Sequence, residues 1–216
     1  MAQVNTESEQ QEIDTAPEES SLWKEAWKRL FKNKTAMLGL TIIGILSIVA
    51  ILAPVLAPYD PIKTSVLERL EAPSGDHLLG TDNLGRDILS RIIYGSRISI
   101  QVGVISVSIA LVLGVTFGVL AGYYGGWIDN LIMRFIDIML AFPSILLAIV
   151  IMAILGPQLS NAMIAIGFVN LPRFARIVRS SVLSVKEDEY VSAARSLGAS
   201  DFRIIMKHIL PNCLAP

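Results

Sequence analysis

Residues 37–56 read MLGLTIIGILSIVAILAPVL, a run of apolar and small side chains without a single charge. The uncharged stretch around this run extends over 25 residues, from 35 to 59. A helix needs about 20 apolar residues to cross the hydrocarbon core of a bilayer. The stretch therefore predicts a first transmembrane helix over residues 35–58. Three prolines close to its end are expected to terminate it: Pro54, Pro58 and Pro61.

Two longer uncharged runs follow, one of 31 residues after Arg97 and one of 35 residues after Asp137. The first predicts a second span near Ile98–Ala121. The second is too long for one ordinary span and holds turn residues, GPQLSN at 156–161, in its middle. It therefore predicts a hairpin of two spans, near 131–155 and 161–178. With 53% hydrophobic and 17% charged residues, the chain is expected to be an all-α integral membrane protein with four visible transmembrane helices.

The distribution of Lys and Arg around these spans predicts the orientation, because cytoplasmic flanks are enriched in both. Five basic residues precede the first span, and seven lie at the end of the fourth span or after it, from Arg173 to Lys207. An even number of spans places both flanks on one side, so the amino terminus and the segment after the fourth span are expected in the cytoplasm. The 59–96 loop is then external, although the segment from 59 to 97 also holds five basic residues. A net charge of −1 offers no basic field for nucleic acid.

The first 34 residues differ from the rest in being polar. Residues 1–20 carry six acids and no Lys or Arg, which is typical of a disordered tail. Residues 23–34, WKEAWKRLFKNK, are basic and place Trp23, Trp27, Leu30 and Phe31 at helical spacing. This pattern predicts an amphipathic helix on the cytoplasmic face of the membrane, in contact with anionic lipid.

Charges and glycines within the spans identify further candidate positions. Arg134 and Asp137 lie three residues apart on one helical face at the start of the third span. They are expected to form an interfacial ion pair or to line a gate or a pathway. Pro143 lacks a backbone donor and predicts a kink. A small-residue stripe in the second span, Gly114, Gly118 and Gly122, allows another helix to approach closely, within this chain or in another subunit.

The segment after the fourth span has the pattern of two short helices with a corner between them. Tyr190, Ala194 and Leu197 are spaced to form one apolar face, with Val191 beside them. Gly198 can take the positive φ that often follows a helix end. Ser200 is placed to cap a second helix, with Asp201 near its positive end. The apolar stripe of that helix is predicted to be Phe202, Ile205, Met206 and Ile209, and Pro211 is expected to stop it. From the pattern alone, this corner either docks into another protein or rests on the membrane.

The spacing within this segment resembles the cytoplasmic-loop motif of ATP-binding cassette importer permeases. That motif is Glu-Ala-Ala, three residues, Gly, nine residues and then Ile-x-Leu-Pro. The chain has Ala193-Ala194, Gly198 and Leu210-Pro211 at the required distances, with Ser192 in place of Glu and His208 in place of Ile. Both departures resemble the peptide-importer branch. The stretch LLGTDNLGRDILSRIIYGSR at 78–97 is similar to the C-type subunit of dipeptide and oligopeptide permeases.

The resemblance implies a type I importer half with six spans and both termini in the cytoplasm. The implied partners are a B-type permease subunit, two ATP-binding subunits and an extracytoplasmic solute-binding protein. The segment 180–212 is then the coupling loop within a transmembrane domain over 97–216. Its implied coupling residues are Glu189, Tyr190, Ala193, Ala194, Arg195, Leu197, Gly198, Ala199, His208, Leu210 and Pro211.

The resemblance also implies that the chain is not an enzyme and binds no cofactor directly, since ATP is held by the partners. No GxxxxGK[ST] phosphate loop is present, and the two histidines, His77 and His208, are not at metal-ligand spacing. Because the chain stops where a fifth span is expected, it is interpreted as a fragment. Three alternatives remain: a transport-incompetent scaffold, a secondary transporter, and the same machinery importing nickel chelates, glutathione or oligosaccharides.

Overall fold

The computed structural model describes residues 30–213, and these are helical outside one long loop. The acidic tail and most of the basic segment at 23–34 lie outside the described residues. The helices, in chain order, are α1 (Lys34–Ile51), α2 (Ala53–Leu56), α3 (Ile88–Tyr124), α4 (Gly126–Ala141), α5 (Ser144–Leu155), α6 (Leu159–Val185), α7 (Glu189–Ser196), α8 (Asp201–Ile204), a π-helix (Ile205–Ile209) and α9 (Leu210–Cys213). Between 30 and 213 the structure has no strand, only an isolated bridge between Thr81 and Asp87. The all-α prediction is confirmed.

The chain divides into two compact units, Met1–Arg97 and Ile98–Pro216. In the first unit α1 begins at an N-cap, because the Asn33 side chain accepts hydrogen bonds from the backbone N–H groups of Thr35 and Ala36. The helix ends at Ile51, earlier than the predicted 58. Pro54 does not terminate the span as predicted but lies in the first turn of the short helix α2. A proline is tolerated there because the first turn of a helix has no partner for its N–H groups.

The loop between α2 and α3 is organised around Asp82. Its carboxylate accepts hydrogen bonds from the backbone N–H groups of Leu84 and Arg86 at 2.8 and 3.0 Å and pairs with the guanidinium groups of Arg86 and Arg91. Burial opposes ionisation of this carboxyl, but these hydrogen bonds outweigh it and lower its pKa to about 2. Gly85, at φ +71, closes the turn where a Cβ would lie 1.7 Å from the Ser65 carbonyl oxygen.

A second polar cluster of this loop lies at the start of α3. The His77 ring lies 3.0 Å from the Asp87 carboxylate and packs against the Tyr59 ring at 4.8 Å. Asp87 also accepts a hydrogen bond from the Ser90 backbone N–H at 2.7 Å. The hydrogen bond to Asp87 raises the pKa of His77 above its ordinary value of 6.5. The cluster therefore ties the loop to the first turn of α3.

In the second unit, α3 and α6 pack together through the glycine stripe. A Cβ at Gly114, Gly118 or Gly122 would lie between 2.4 and 2.9 Å from atoms of α6. On α6 itself, a Cβ at Gly167 would lie 2.8 Å from the Ile109 side chain of α3. Between the two possibilities left open by the sequence, the structure places this stripe in contact within the chain, where small residues let the two helix backbones approach closely.

The third predicted span, 131–155, is not one helix. Helices α4 and α5 meet at an angle of 97° around Phe142 and Pro143. The kink predicted at Pro143 is thus a full break, because the residue before a proline is pushed out of the helical region and Phe142 is extended at ψ 137°. By length and composition, α1 and α3 can cross a membrane, and the bent pair makes a third span if taken as one. The fourth predicted span lies in α6, which is 27 residues long but does not meet the same criterion of length and composition. Among residues 30–213 the structure therefore supports two or three spans rather than the predicted four.

Candidate coupling site

Helix α7 follows α6 after a three-residue turn and ends in a glycine cap. Gly198 has φ +78 and donates its N–H to the Arg195 carbonyl at 3.0 Å. The Ala199 N–H bonds to the Ala194 carbonyl at 3.1 Å. These two bonds form a Schellman motif, which satisfies carbonyls that a helix end otherwise leaves without partners. The prediction of a helix that is closed by Gly198 is confirmed.

The inner side of α7 packs on the ends of α3 and α6. Val191 is fully buried in a cluster with Val119 and Tyr123 of α3 and Val182 of α6, and Ala194 packs against the same cluster. The predicted apolar face is therefore partly wrong, because Tyr190 is 42% exposed and Leu197 is 88% exposed. The direction from which α6 enters the turn determines which side of α7 is covered, and helical spacing does not contain that information.

A polar joint connects α7 and α8 to the end of α3. The Tyr123 hydroxyl donates a hydrogen bond to the Asp201 carboxylate at 2.6 Å, and the Arg195 guanidinium lies over the Tyr123 ring at 5.8 Å. The Lys186 ammonium donates to the Gly122 carbonyl at 3.2 Å. Ser200 occupies the predicted N-cap position of α8 but its side chain makes no capping bond. Asp201 is committed to Tyr123, a contact over 78 positions that sequence spacing did not suggest.

The segment after α8 widens into a π-helix over Ile205–Ile209 and continues into α9. Pro211 therefore does not stop the helix, contrary to the prediction. In a regular α-helix its ring would clash with the carbonyl of Lys207, and this carbonyl lies within the wider turn. The same turn changes which side chains face inward. Ile204 and Ile209 are buried, whereas Phe202 and Met206 of the predicted stripe are exposed at 73% and 47%.

The outer surface of α7 and its corner remains open to solvent. Of the predicted coupling residues, the exposed ones are Glu189, Tyr190, Ala193, Arg195, Leu197, Gly198 and Pro211, and the half-buried ones are Ala194, Ala199, His208 and Leu210. The fold thus brings most of them to one short protrusion that has a packed inner side and a free outer side. Leu197 lies at the tip of this protrusion with its side chain almost entirely exposed.

Two ion pairs join α4 to α6 beside this joint. Asp129 receives two hydrogen bonds from Arg179, both 2.6 Å long, and Asp137 receives one from Arg176, also 2.6 Å. The predicted pair of Arg134 with Asp137 is wrong, because the guanidinium that reaches this carboxylate comes from α6. Local spacing places two residues on one face but does not reveal a competitor 39 positions away. The sequence did contain one signal for these ion pairs, because arginine recurs at every third residue of α6 (173, 176, 179).

Comparison with known proteins matches both parts of the chain. Residues 114–216 match the family described as binding-protein-dependent transport system inner membrane component. Residues 21–73 match the N-terminal transmembrane domain of oligopeptide transport permease C. A dipeptide transport system permease protein DppC of Haemophilus influenzae is 44% identical over 89% of this chain and 68% of its own length. The chain belongs to the C-type permeases of peptide ATP-binding cassette importers.

Other relatives of this permease family are similarly close. A dipeptide transport system permease protein DppC of Alkalihalophilus pseudofirmus is 56% identical over 91% of this chain. A glutathione transport system permease protein GsiD of Pectobacterium atrosepticum is 43% identical over 89%. The chain spans 64% of the length of each of these two relatives. The part that matches the inner membrane component includes residues 114–124 of α3 and everything from α4 to α9, and thus the whole candidate coupling site.

Proposed function

We propose that this chain acts as the C-type permease subunit of an importer that moves peptides across the cytoplasmic membrane. In this proposal it hydrolyses nothing and binds no cofactor, and two partner subunits bind and hydrolyse ATP. A homologous B-type permease completes the pathway, and an extracytoplasmic protein delivers the substrate. The observation that carries the proposal is the protrusion formed by α7, which has a packed inner side and an open outer side, in a chain of this family.

The contacts of α7 offer a route by which a partner can move the membrane helices. Val191 is fully buried between the ends of α3 and α6, and Arg195 lies over the ring of Tyr123. A force on the outer surface of α7 is thus applied directly to the ends of both helices. Because a packed interior has low compressibility, displacement of α7 moves these ends rather than deforming the contact. We propose that closure of the ATP-binding subunits displaces α7 in this way.

The proposed topology places the amino terminus and residues 180–212 in the cytoplasm and the 59–96 loop outside. It rests on the Lys and Arg residues that flank the spans. The proposed substrate class rests on relatives whose names specify dipeptide transport. Glutathione, named for another relative, is the second candidate. It is itself a peptide-like substrate with free carboxylates, so both candidates share the same chemistry.

Photo-cross-linking from the tip of α7 tests the proposed coupling. A photoreactive amino acid replaces Leu197, 88% exposed, in membranes that contain the assembled importer. The matched control carries it at Leu67, 95% exposed in the loop between α2 and α3. We expect a cross-link to an ATP-binding subunit from position 197 and none from position 67. Cross-linking to that subunit from 67, or from neither position, would refute the proposed coupling surface.

A further inference from the structure

A groove of about 440 Å³ lies between α3 and α6, away from the coupling site. Most of its wall is apolar, from residues such as Val102, Val107, Ala110, Ile166 and Ile177. Three polar side chains also line it: Ser106, Asn170 and Arg173. Its volume falls within the roughly 300–1,000 Å³ that is typical of small-molecule sites, and such sites combine apolar walls with a few polar groups. A dipeptide is within this size.

Arg173 has no carboxylate partner among the residues that the structure describes. It is the first of three arginines spaced three residues apart on α6. The other two, Arg176 and Arg179, pair with the aspartates of α4, whereas Arg173 makes no ion pair with any residue between 30 and 213. An arginine in an apolar membrane segment is costly unless it is paired or faces a wet cavity. Arg173 faces the groove, so its partner is expected to enter from there.

The other polar groups of the groove favour an anionic ligand. Asn170 lies one turn before Arg173, and its amide nitrogen donates a hydrogen bond to the Ile166 carbonyl at 2.8 Å, which leaves its second N–H free. The Ser106 hydroxyl already donates to the Met163 carbonyl at 3.0 Å. The free donors of the groove are therefore those of Arg173 and Asn170, and within the described range 30–213 no acidic side chain lines it. A guanidinium fork matches the two oxygens of a carboxylate.

We propose that Arg173, with Asn170 beside it, forms a subsite for the carboxylate of the transported peptide in the groove between α3 and α6. The proposal rests on the proposed function, since it concerns the substrate of that importer. The apolar wall makes no sequence-specific hydrogen bond, so it accepts peptide side chains of different kinds. Arg173 lies six positions before Arg179 along α6, roughly 9 Å farther from α7 along the helix axis at 1.5 Å per residue.

The test is peptide uptake by the complete importer in proteoliposomes, with a dipeptide and with the same dipeptide amidated at its carboxyl terminus. The wild type is compared with Arg173→Gln, Arg173→Lys and Arg97→Gln. Arg97 is the matched control, because it is exposed on α3, has no ion pair among the described residues and does not line the groove. The same binding protein delivers both peptides to every variant, so its own preference cancels when the ratios of the two uptake rates are compared.

We expect Arg173→Gln to lower uptake of the free acid about tenfold, the loss of one charged hydrogen-bonded contact. Uptake of the amide should be almost unchanged, Arg173→Lys should recover most of the loss, and Arg97→Gln should behave as the wild type. Equal loss for both peptides would overturn the proposal in favour of a carboxylate on a partner subunit. Loss only in vesicles with anionic lipid would overturn it in favour of a lipid phosphate. If the wild type imports neither peptide, the proposed function itself fails.

Discussion

Replacing Tyr123 with Phe removes one hydroxyl from the joint between the end of α3 and the helices α7 and α8. The ring remains in the buried cluster and under Arg195, so only the 2.6 Å hydrogen bond to Asp201 is lost. A hydrogen bond to a charged group contributes about 1.5–3 kcal/mol. Because Asp201 is exposed, water replaces the hydroxyl in the variant, and we expect a loss somewhat below this range, about 1 kcal/mol. This corresponds to a roughly fivefold larger population of the state in which α7 is detached from α3.

Hydrogen exchange of the backbone amides of α7 measures this change directly. We expect exchange in Tyr123→Phe to be about fivefold faster over Glu189–Ser196 and unchanged in the middle of α6. Tyr124→Phe is the matched control, since the neighbouring ring is 48% exposed and its hydroxyl makes no hydrogen bond to any residue from 30 to 213. Equal exchange in the wild type and Tyr123→Phe, or equal acceleration in both variants, would refute the role of this hydroxyl.

Three further predictions concern packing, ion pairs and pH. Gly118→Ala should lower the melting temperature in detergent, because its Cβ would lie 2.7 Å from a carbonyl oxygen of α6. Gly95→Ala, at a position with open space around it, should leave the melting temperature unchanged. Equal effects of the two substitutions would contradict the close packing of α3 on α6. In thermal unfolding, Asp129→Asn should destabilise the protein by about 2 kcal/mol and Asp137→Asn by under about 1 kcal/mol. The reason is burial, since the Asp129 side chain is 17% exposed and the Asp137 side chain 60%. The reverse order would be inconsistent with this difference in burial. The pKa of His77 is raised, so its contribution to loop stability is complete below pH 6.5 and is lost as the pH rises through the raised pKa. Protease cleavage of the loop should therefore become faster across that pH range. In His77→Gln, this dependence of the cleavage rate on pH should be absent.

Features specified by neighbouring residues were predictable from the sequence. The glycine that closes α7 and the apolar runs of the spans belong to this class, because the requirement lies within a few positions of the residue that meets it. The break at Pro143 was located correctly for the same reason. Its angle of 97° was not predictable, because the packing of α4 and α5 on α6 determines where the chain goes after the break.

Features that depend on distant segments were missed or predicted wrongly. Arg176, rather than the neighbouring Arg134, pairs with Asp137 because α6 packs on α4. Leu197 is exposed and Val191 buried because of the direction in which α7 leaves α6. The π-helix rotates the side chains after Ile204 by an amount that no 3.6-residue periodicity anticipates. In each case the outcome was set by tertiary packing, which a single sequence does not display.

In the proposed function, α7 and its glycine cap transmit the action of the ATP-binding subunits, so ATP hydrolysis stimulated by the loaded binding protein must depend on this cap. Gly198→Pro removes the positive φ and the N–H that bonds to Arg195. Gly156→Pro makes the equivalent change at φ +97 and at an N–H bonded to Met152, in the turn after α5. We predict that stimulation falls to the basal rate in Gly198→Pro and persists in Gly156→Pro. Full stimulation in Gly198→Pro would show that the glycine cap of α7 does not transmit the action of the ATP-binding subunits.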